Sequence, residues 1–283
     1  MSLATSYPVQ VICTVLNLPR STFYYHPAPP APVDISLRSA LQRLAAEWPT
    51  YGYRRLTAQL RRAGYVVNSK RVRRLMAELG LLGHPPLRRV RTTNSNHPFP
   101  RYPNLVQGWV TTRPDEIWVA DITYVHLPRD FVYLAVLMDV FTRSIRGWEL
   151  GRTLEGSLTL TALKRALLTG APDIHHSDQG VQYAARGYVA QLEAVEAQVS
   201  MATVGEPTEN GYAERLMRTI KEECVSLTEF QNFTDAKAQL GRFLDQVYQQ
   251  KRIHSALGYL TPAEFESQWH TEQAQQEGGH PKP

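Results

Sequence analysis

Cysteine is nearly absent from this chain. Its two copies, Cys13 and Cys224, lie too far apart for a CxxC zinc site, and a disulfide is not expected between them. No apolar run reaches the roughly 18 residues that a membrane-spanning helix needs. The first ten residues, MSLATSYPVQ, have neither the charged start nor the long apolar stretch of a secretory signal. A soluble cytoplasmic protein is the expectation. No sustained heptad repeat is present, so no long coiled coil is expected. Acidic residues are also scarce in the first third. Residues 1–105 hold 15 Lys+Arg against 3 Asp+Glu, a balance of +12. The other 178 residues hold 16 against 23, a balance of −7, and the two sum to the formal +5 of the whole chain. A basic first third joined to a mildly acidic remainder suggests that the first third grips a polyanion.

At 283 residues the chain is long enough for two compact domains, or for one large domain with a satellite. Residues 1–26 read as two short helices. Val9, Ile12, Val15 and Leu16 form an apolar stripe on the first, Leu18-Pro19 breaks it, and Ser21 is placed to cap the second. This is a short helix-turn-helix element or a plain helical hairpin. PAPPAPV, at 27–33, is a proline-rich linker. Residues 34–83 give three helical segments, marked by Leu37 and Leu41, then Tyr53, Leu56 and Leu60, then Val72, Leu75 and Met76. Arg54 and Arg55 crowd the second, and Lys70, Arg71, Arg73 and Arg74 crowd the third. A basic helix-turn-helix-like unit that meets DNA phosphates through these six residues is expected; solvated surface charge is the alternative for each. Residues 84–114 are read as a basic, proline-rich linker.

From Glu116 the pattern changes. IWVADITYV, FVYLAVLMDVF and SIRGWEL read as three strands of an antiparallel meander. A helix near 157–169, a strand around Ile174, a helix near 184–195, a strand at VEAQVSM and helices at about 210–225 and 234–250 follow. The order βββαβαβα belongs to a mixed α/β fold with helices packed on a central sheet. Residues 115–268 form this unit, and the polar tail 269–283 is expected to be disordered.

Three acids stand out. Asp121 sits among Trp118, Val119, Ile122 and Val125, where a carboxylate needs a partner or a metal. Asp178 ends a short apolar run in IHHSDQGVQY, and Glu214 lies on a helix in ENGYAERLMRTIKEE. Thirty-five residues separate the last two. Brought together, such acids can hold a pair of hard divalent cations, which prefer oxygen ligands. Two such ions can clamp the attacking and leaving oxygens of a phosphoryl transfer. Singly, each acid could equally be a strand end, a turn residue or a surface charge. Asn210, Glu214, Arg218 and Lys221 follow helical spacing and share one face. Lys251, Arg252 and His254 cluster after the last long helix, at a place suited to a phosphate or to a helix end. Asp139 is another buried-looking acid, on the second strand. His175 and His176 alternate on a strand, so at most one of them could face the acids.

ADITYV, HSDQGVQY, NGYAERLMRTIKEE and QKRIHSALGYLTPAEF, in this order and with the 35-residue spacer, resemble the integrase core of bacterial insertion-sequence transposases, of the OrfB type in the IS-three group. The resemblance spans nearly the whole chain. It implies an RNase H-like core with a mixed five-stranded sheet and flanking helices, preceded by a small all-α helix-turn-helix region. It implies a DDE transposase that cleaves insertion-sequence ends and joins them to target DNA. Asp121, Asp178 and Glu214 would be its catalytic and metal-binding residues. The implied cofactor is Mg²⁺, two ions per site, with Mn²⁺ able to substitute. The implied DNA contacts are Arg54, Arg55, Lys70, Arg71, Arg73, Arg74, Asn210, Arg218, Lys221, Lys251, Arg252 and His254. The implied partners are double-stranded DNA, a second copy in a dimer or larger oligomer, and an upstream OrfA-type partner or fusion, with the protein on the nucleoid when DNA-bound. Two readings from other classes stay open, a DNA-binding relative that no longer cuts and an RNase H-type nuclease.

Overall fold

The computed structural model describes residues 7–25, 32–81, 102–203 and 207–278. They fall into two compact units, divided at Leu82/Gly83. The proline-rich linker 27–33 and the expected 84–114 linker lie largely outside the described residues.

The first unit is helical. α1 (Val9–Val15) and α2 (Arg20–Phe23) form a short hairpin. Pro19, and not Ser21, stands at the N-cap of α2, because its fixed φ sets the extended entry. Of the expected apolar stripe, Ile12 is buried, while Val15 and Leu16 are exposed. α3 (Pro32–Glu47), α4 (Tyr53–Arg62) and α5 (Ser69–Glu78) then pack together. Leu37, Leu41, Leu56, Leu60, Val72, Leu75 and Met76 recur at helical spacing and bury one stripe of each helix. Asn68 caps α5 by accepting a hydrogen bond from the Arg71 N–H at 2.8 Å. Gly64 and Gly80 lie just past α4 and α5 with φ of +86° and +66°, a region glycine enters without strain.

The second unit is built on a five-stranded mixed sheet in the order β3-β2-β1-β4-β5. β1 (Ile117–His126), β2 (Phe131–Asp139) and β3 (Ile145–Gly151) form the expected antiparallel meander. β4 (Ile174–Ser177) and β5 (Gln198–Met201) add to it in parallel. Alternation along the strands feeds two cores, one on each face of the sheet, and β1 shows it most clearly. Trp118 and Ala120 meet α6 (Gly156–Ala166) and α7 (Arg186–Glu193). Ile117, Val119 and Val125 meet α8 (Gly211–Glu223) and α9 (Phe233–Arg242). Gly147 lets α6 lie directly on β3, since a Cβ there would stand 2.4 Å from the Ala162 carbonyl oxygen.

Three expectations need correction. The end of the expected linker is docked: Leu105 and Val106 pack on the core, and the Leu105 N–H donates to Ser200 Oγ at 2.9 Å. The last long helix does not run evenly to 250, because a π-helical turn, Phe243–Tyr248, follows α9. The tail is not disordered from 269, since α10 runs from Pro262 to Gly278. It holds no proline or glycine after its first residue until Gly278, and Trp269 packs edge-on to Phe141 at 6.3 Å.

Candidate active site

Strand register brings the first two acids together. β1 and β4 run parallel, and their last paired residues are Ala120 and Ser177. Asp121 and Asp178 are the next residue on each chain segment, where the two strands part. A crevice beyond the carboxyl ends of parallel strands is the usual ligand position in such sheets. α8 packs along β1 and supplies Glu214 from its first turn. Asp178 and Glu214 both lie close enough for their charges to act on Asp121.

The electrostatics follow from that crowding. Burial, then repulsion from Asp178, pushes the Asp121 carboxyl up to about 7; Glu214 adds to the shift, and the Ile122 N–H and Lys221 oppose it. One Asp121 oxygen accepts from the Ile122 N–H at 2.7 Å. Asp178 is held by its own turn, its Oδ1 accepting from the Gly180 N–H at 3.0 Å. Glycine suits position 180, because a Cβ there would stand 3.0 Å from that oxygen. Among the described residues, no three His, Cys, Asp or Glu side chains converge on one ion position. The donor set is nevertheless all carboxylate oxygen, with one acid repelled by two others. Such oxygen donors suit a hard divalent cation such as Mg²⁺.

The two histidines are positioning groups. His175 faces the α7 side, where Tyr188 Oη lies 2.8 Å from its Nε2, and burial drives its pKa down to about 3. His176 faces the other way and bridges three segments. Its Nδ1 lies 2.8 Å from Ser200 Oγ, and its Nε2 lies 3.2 Å from the Glu209 carbonyl oxygen. The Glu209 carbonyl can only accept, so Nε2–H donates to it, and in the neutral ring Nδ1 then accepts from the Ser200 hydroxyl. This ties β4, which runs up to Asp178, to the 3₁₀ turn Pro207–Asn210 that starts the Glu214 helix. Tyr183 is a further neighbour that sequence reasoning missed. Its hydroxyl is buried without a hydrogen-bond partner among the described residues, and burial, with Tyr188, Asp121 and Asp178 nearby, holds its pKa well above the usual tyrosine value.

The expected DNA contacts divide. Arg218 is exposed on α8, and Lys221 lies with its ammonium 4.8 Å from the Tyr124 ring centre. Asn210 is buried, not presented to solvent, and its side-chain amide donates to the Ala120 carbonyl at 3.4 Å. Arg252 is also buried. It makes a two-pronged pair with Glu223, both bonds 2.8 Å, and reaches the His254 ring. His254 packs edge-on to Tyr248, which leaves Lys251 as the exposed cation of that cluster. In the first unit, Arg71 pairs with Asp34, and Arg55 lies over the Tyr51 ring at 4.1 Å while donating to the Thr50 carbonyl. Arg74 lies 3.5 Å from Glu78. Arg54, Lys70 and Arg73 stay exposed, and both arginines flank Tyr53. Asp139 is structural: it accepts from the Thr142 N–H and hydroxyl and from the Asp115 N–H.

Comparison with known proteins agrees with this architecture. Residues 111–207 and 195–262 match two family models, each described as an integrase core domain, and residues 34–89 match an HTH-like domain. The "Insertion element IS600 uncharacterized 31 kDa protein" of Shigella sonnei is 34% identical over 92% of this chain and 98% of its own length. The chain belongs to the insertion-sequence transposases of the IS-three group. The Shigella sonnei "Transposase for insertion sequence element IS629" is 32% identical over 95% of this chain and 94% of its own length. The "Transposase for insertion sequence element IS904" of Lactococcus lactis is 33% identical over 76% and 87%. This transposase is therefore a polynucleotidyl transferase of the DDE type acting in DNA transposition. None of its described helices is long and apolar enough to cross a membrane.

Proposed function

We propose that Asp121, Asp178 and Glu214 are the catalytic carboxylates of a reaction that nicks the ends of an insertion sequence and joins them to target DNA. The observation that carries this reading is the meeting of the middle of β1, the end of β4 and the first turn of α8 at Asp121, whose carboxyl is crowded by the other two acids. Asp121 would be shared by two Mg²⁺ ions, with Asp178 holding one and Glu214 the other; Mn²⁺ has the same preference for such oxygen donors. When bound, the ions supply charge stabilisation for the attacking and leaving oxygens. The chain's own groups set the geometry. The Gly180 N–H fixes the Asp178 carboxylate, the His176 bridge fixes the start of α8, and Lys221 supplies positive charge beside Asp121. In the first step a water oxygen bonds to the phosphorus and the bond to the 3′ oxygen breaks. In the second that 3′-OH attacks a target phosphate, and the target's 3′ oxygen leaves. No covalent protein–DNA bond and no nucleotide cofactor are required.

The basic first unit is assigned to duplex DNA through Arg54, Lys70 and Arg73, and the α8 face to the reacting end through Arg218 and Lys221. Bringing two element ends together requires at least a dimer, alone or with an upstream OrfA-type partner, in the cytoplasm on the nucleoid. The test is incubation of the purified chain with labelled DNA of the element ends and Mg²⁺. Wild type should give 3′-end nicking and strand joining. Asp121→Asn, Asp178→Asn and Glu214→Gln should each abolish both while leaving the fold and most DNA affinity. Near-normal cleavage by any one variant removes that residue from the site.

A further inference from the structure

Three residues beyond Asp121, the same strand carries an aromatic surface that the reaction chemistry does not use. Tyr124 is 41% exposed and Phe131 49% exposed, and His126 is exposed as well. The β1–β2 register sets Tyr124 opposite Tyr133 and His126 opposite Phe131. The rings form one edge-to-face cluster: Tyr124 to His126 at 5.4 Å, Tyr124 to Phe131 at 6.4 Å, and Phe131 to Tyr133 at 5.5 Å. Contiguous exposed aromatic surface of this kind is a candidate binding surface.

Its surroundings say which partner. β4 ends at Ser177, opposite Ala120, so it does not flank the second half of β1. Among the described residues, no other strand pairs with that edge beside the carboxylates. Lys221 links the two places, since its ammonium is 4.8 Å from the Tyr124 ring centre and its charge acts on Asp121. Tyr124 is about 10 Å along the strand from Asp121 and projects from the other face of the sheet, so a DNA strand that meets both passes round this open edge of β1, where Lys221 reaches each of them. A cation beside exposed rings is the pattern that holds single-stranded nucleic acid, with the backbone on the charge and the bases stacked on the rings.

We propose that Tyr124, backed by His126 and Phe131, is a stacking platform for unpaired bases at the DNA end whose reacting phosphate the three acids hold. The proposal rests on the catalytic reading for the identity of that end. The platform would favour ends that fray, and so would draw the terminal bases away from the duplex beside the acids.

The test uses the full chain and two duplexes, one blunt and one ending in two unpaired bases that include 2-aminopurine. Wild type should prefer the unpaired end and quench 2-aminopurine fluorescence on binding. Tyr124→Leu with Phe131→Leu should lose the quench and weaken unpaired-end binding about 10-fold, the order of one lost base–ring stack. Blunt-end affinity and thermal melting should change little, and Tyr124→Phe should behave as wild type. Asp121→Asn should keep the quench, because stacking does not need the chemistry. Full cleavage by Asp121→Asn would therefore count against the catalytic reading alone. Equal binding of both duplexes by wild type, or an unchanged quench in the double variant, would overturn the platform. So would a double variant that changes oligomeric state while keeping its DNA preferences, because the rings would then serve a second copy of the chain.

Discussion

Asp121 carries two opposed demands. The folded chain holds it where its charge is disfavoured, and a cation bound there would offset that charge. Its carboxyl is raised from 3.8 to about 7. A carboxyl raised in the folded state costs stability once it must ionise. The cost is absent below pH 3.8, grows as pH rises through the window up to about 7, and is complete above it. About three pKa units would correspond to roughly 4 kcal/mol. The side chain is partly exposed, so solvent screening reduces this to about 2 kcal/mol. Without divalent metal, Asp121→Asn should therefore melt several degrees above wild type at about pH 8 and at nearly the same temperature at about pH 4. Melting curves in EDTA at both values check this. Equal melting at the higher pH would mean that Asp121 is not crowded. The variant would otherwise be inactive yet more stable, which a purely structural aspartate would not give.

At the scale of elements, the site depends on short connections that must be stiff. Asp178 lies in the turn that follows β4, and Gly180 leaves little room there for a side chain. Gly180→Ala should push the Asp178 carboxylate out of place and lower cleavage by at least about 10-fold, the cost of a small misplacement at a reacting centre, with melting nearly unchanged. A fully active Gly180→Ala would show that the turn has slack. Much of this level was legible in the sequence. The five strands and the Glu214 helix follow from periods of about two and 3.6, which local residues set. The three acids could be placed on their elements for the same reason, Asp121 within the first strand, Asp178 just after the fourth and Glu214 in the helix. What was not legible depends on distant partners. Arg252 read as a phosphate contact or a helix-end charge because its partner Glu223 is 29 residues away. His176 gave no sign that it ties β4 to the turn before α8, because Glu209 is 33 residues away. Asn210 shares the Glu214 spacing, yet its amide turns inward to Ala120. The α10 tail misled for another reason. Its residues are largely polar all round, so no apolar stripe announces a helix that Trp269 anchors.

At the scale of the whole molecule, the division of charge matches a division of labour. The first unit is cationic, and the second carries the acids. The first unit's six candidate cations are not equivalent, however. Arg54, Lys70 and Arg73 are exposed, whereas the half-buried Arg55 and Arg71 are tied to partners within the unit. Replacing the first three together with Ala should weaken binding to duplex DNA. It should also flatten the salt dependence by roughly 0.9 in slope for each phosphate no longer neutralised. Arg55→Ala with Arg71→Ala should instead lower the melting temperature and leave the slope alone. Affinity measured across a salt series separates the two outcomes, and an unchanged slope in the triple variant would return those residues to solvated surface.

The most direct check on the site as a whole is a count of ions. Mn²⁺ bound to the transposase on its element-end DNA can be titrated by electron paramagnetic resonance. Relative to wild type, Asp178→Asn and Glu214→Gln should each lose one of the two bound ions, and Asp121→Asn, which removes the shared carboxylate, should lose both. Identical stoichiometry in wild type and all three variants would contradict a metal site made of Asp121, Asp178 and Glu214.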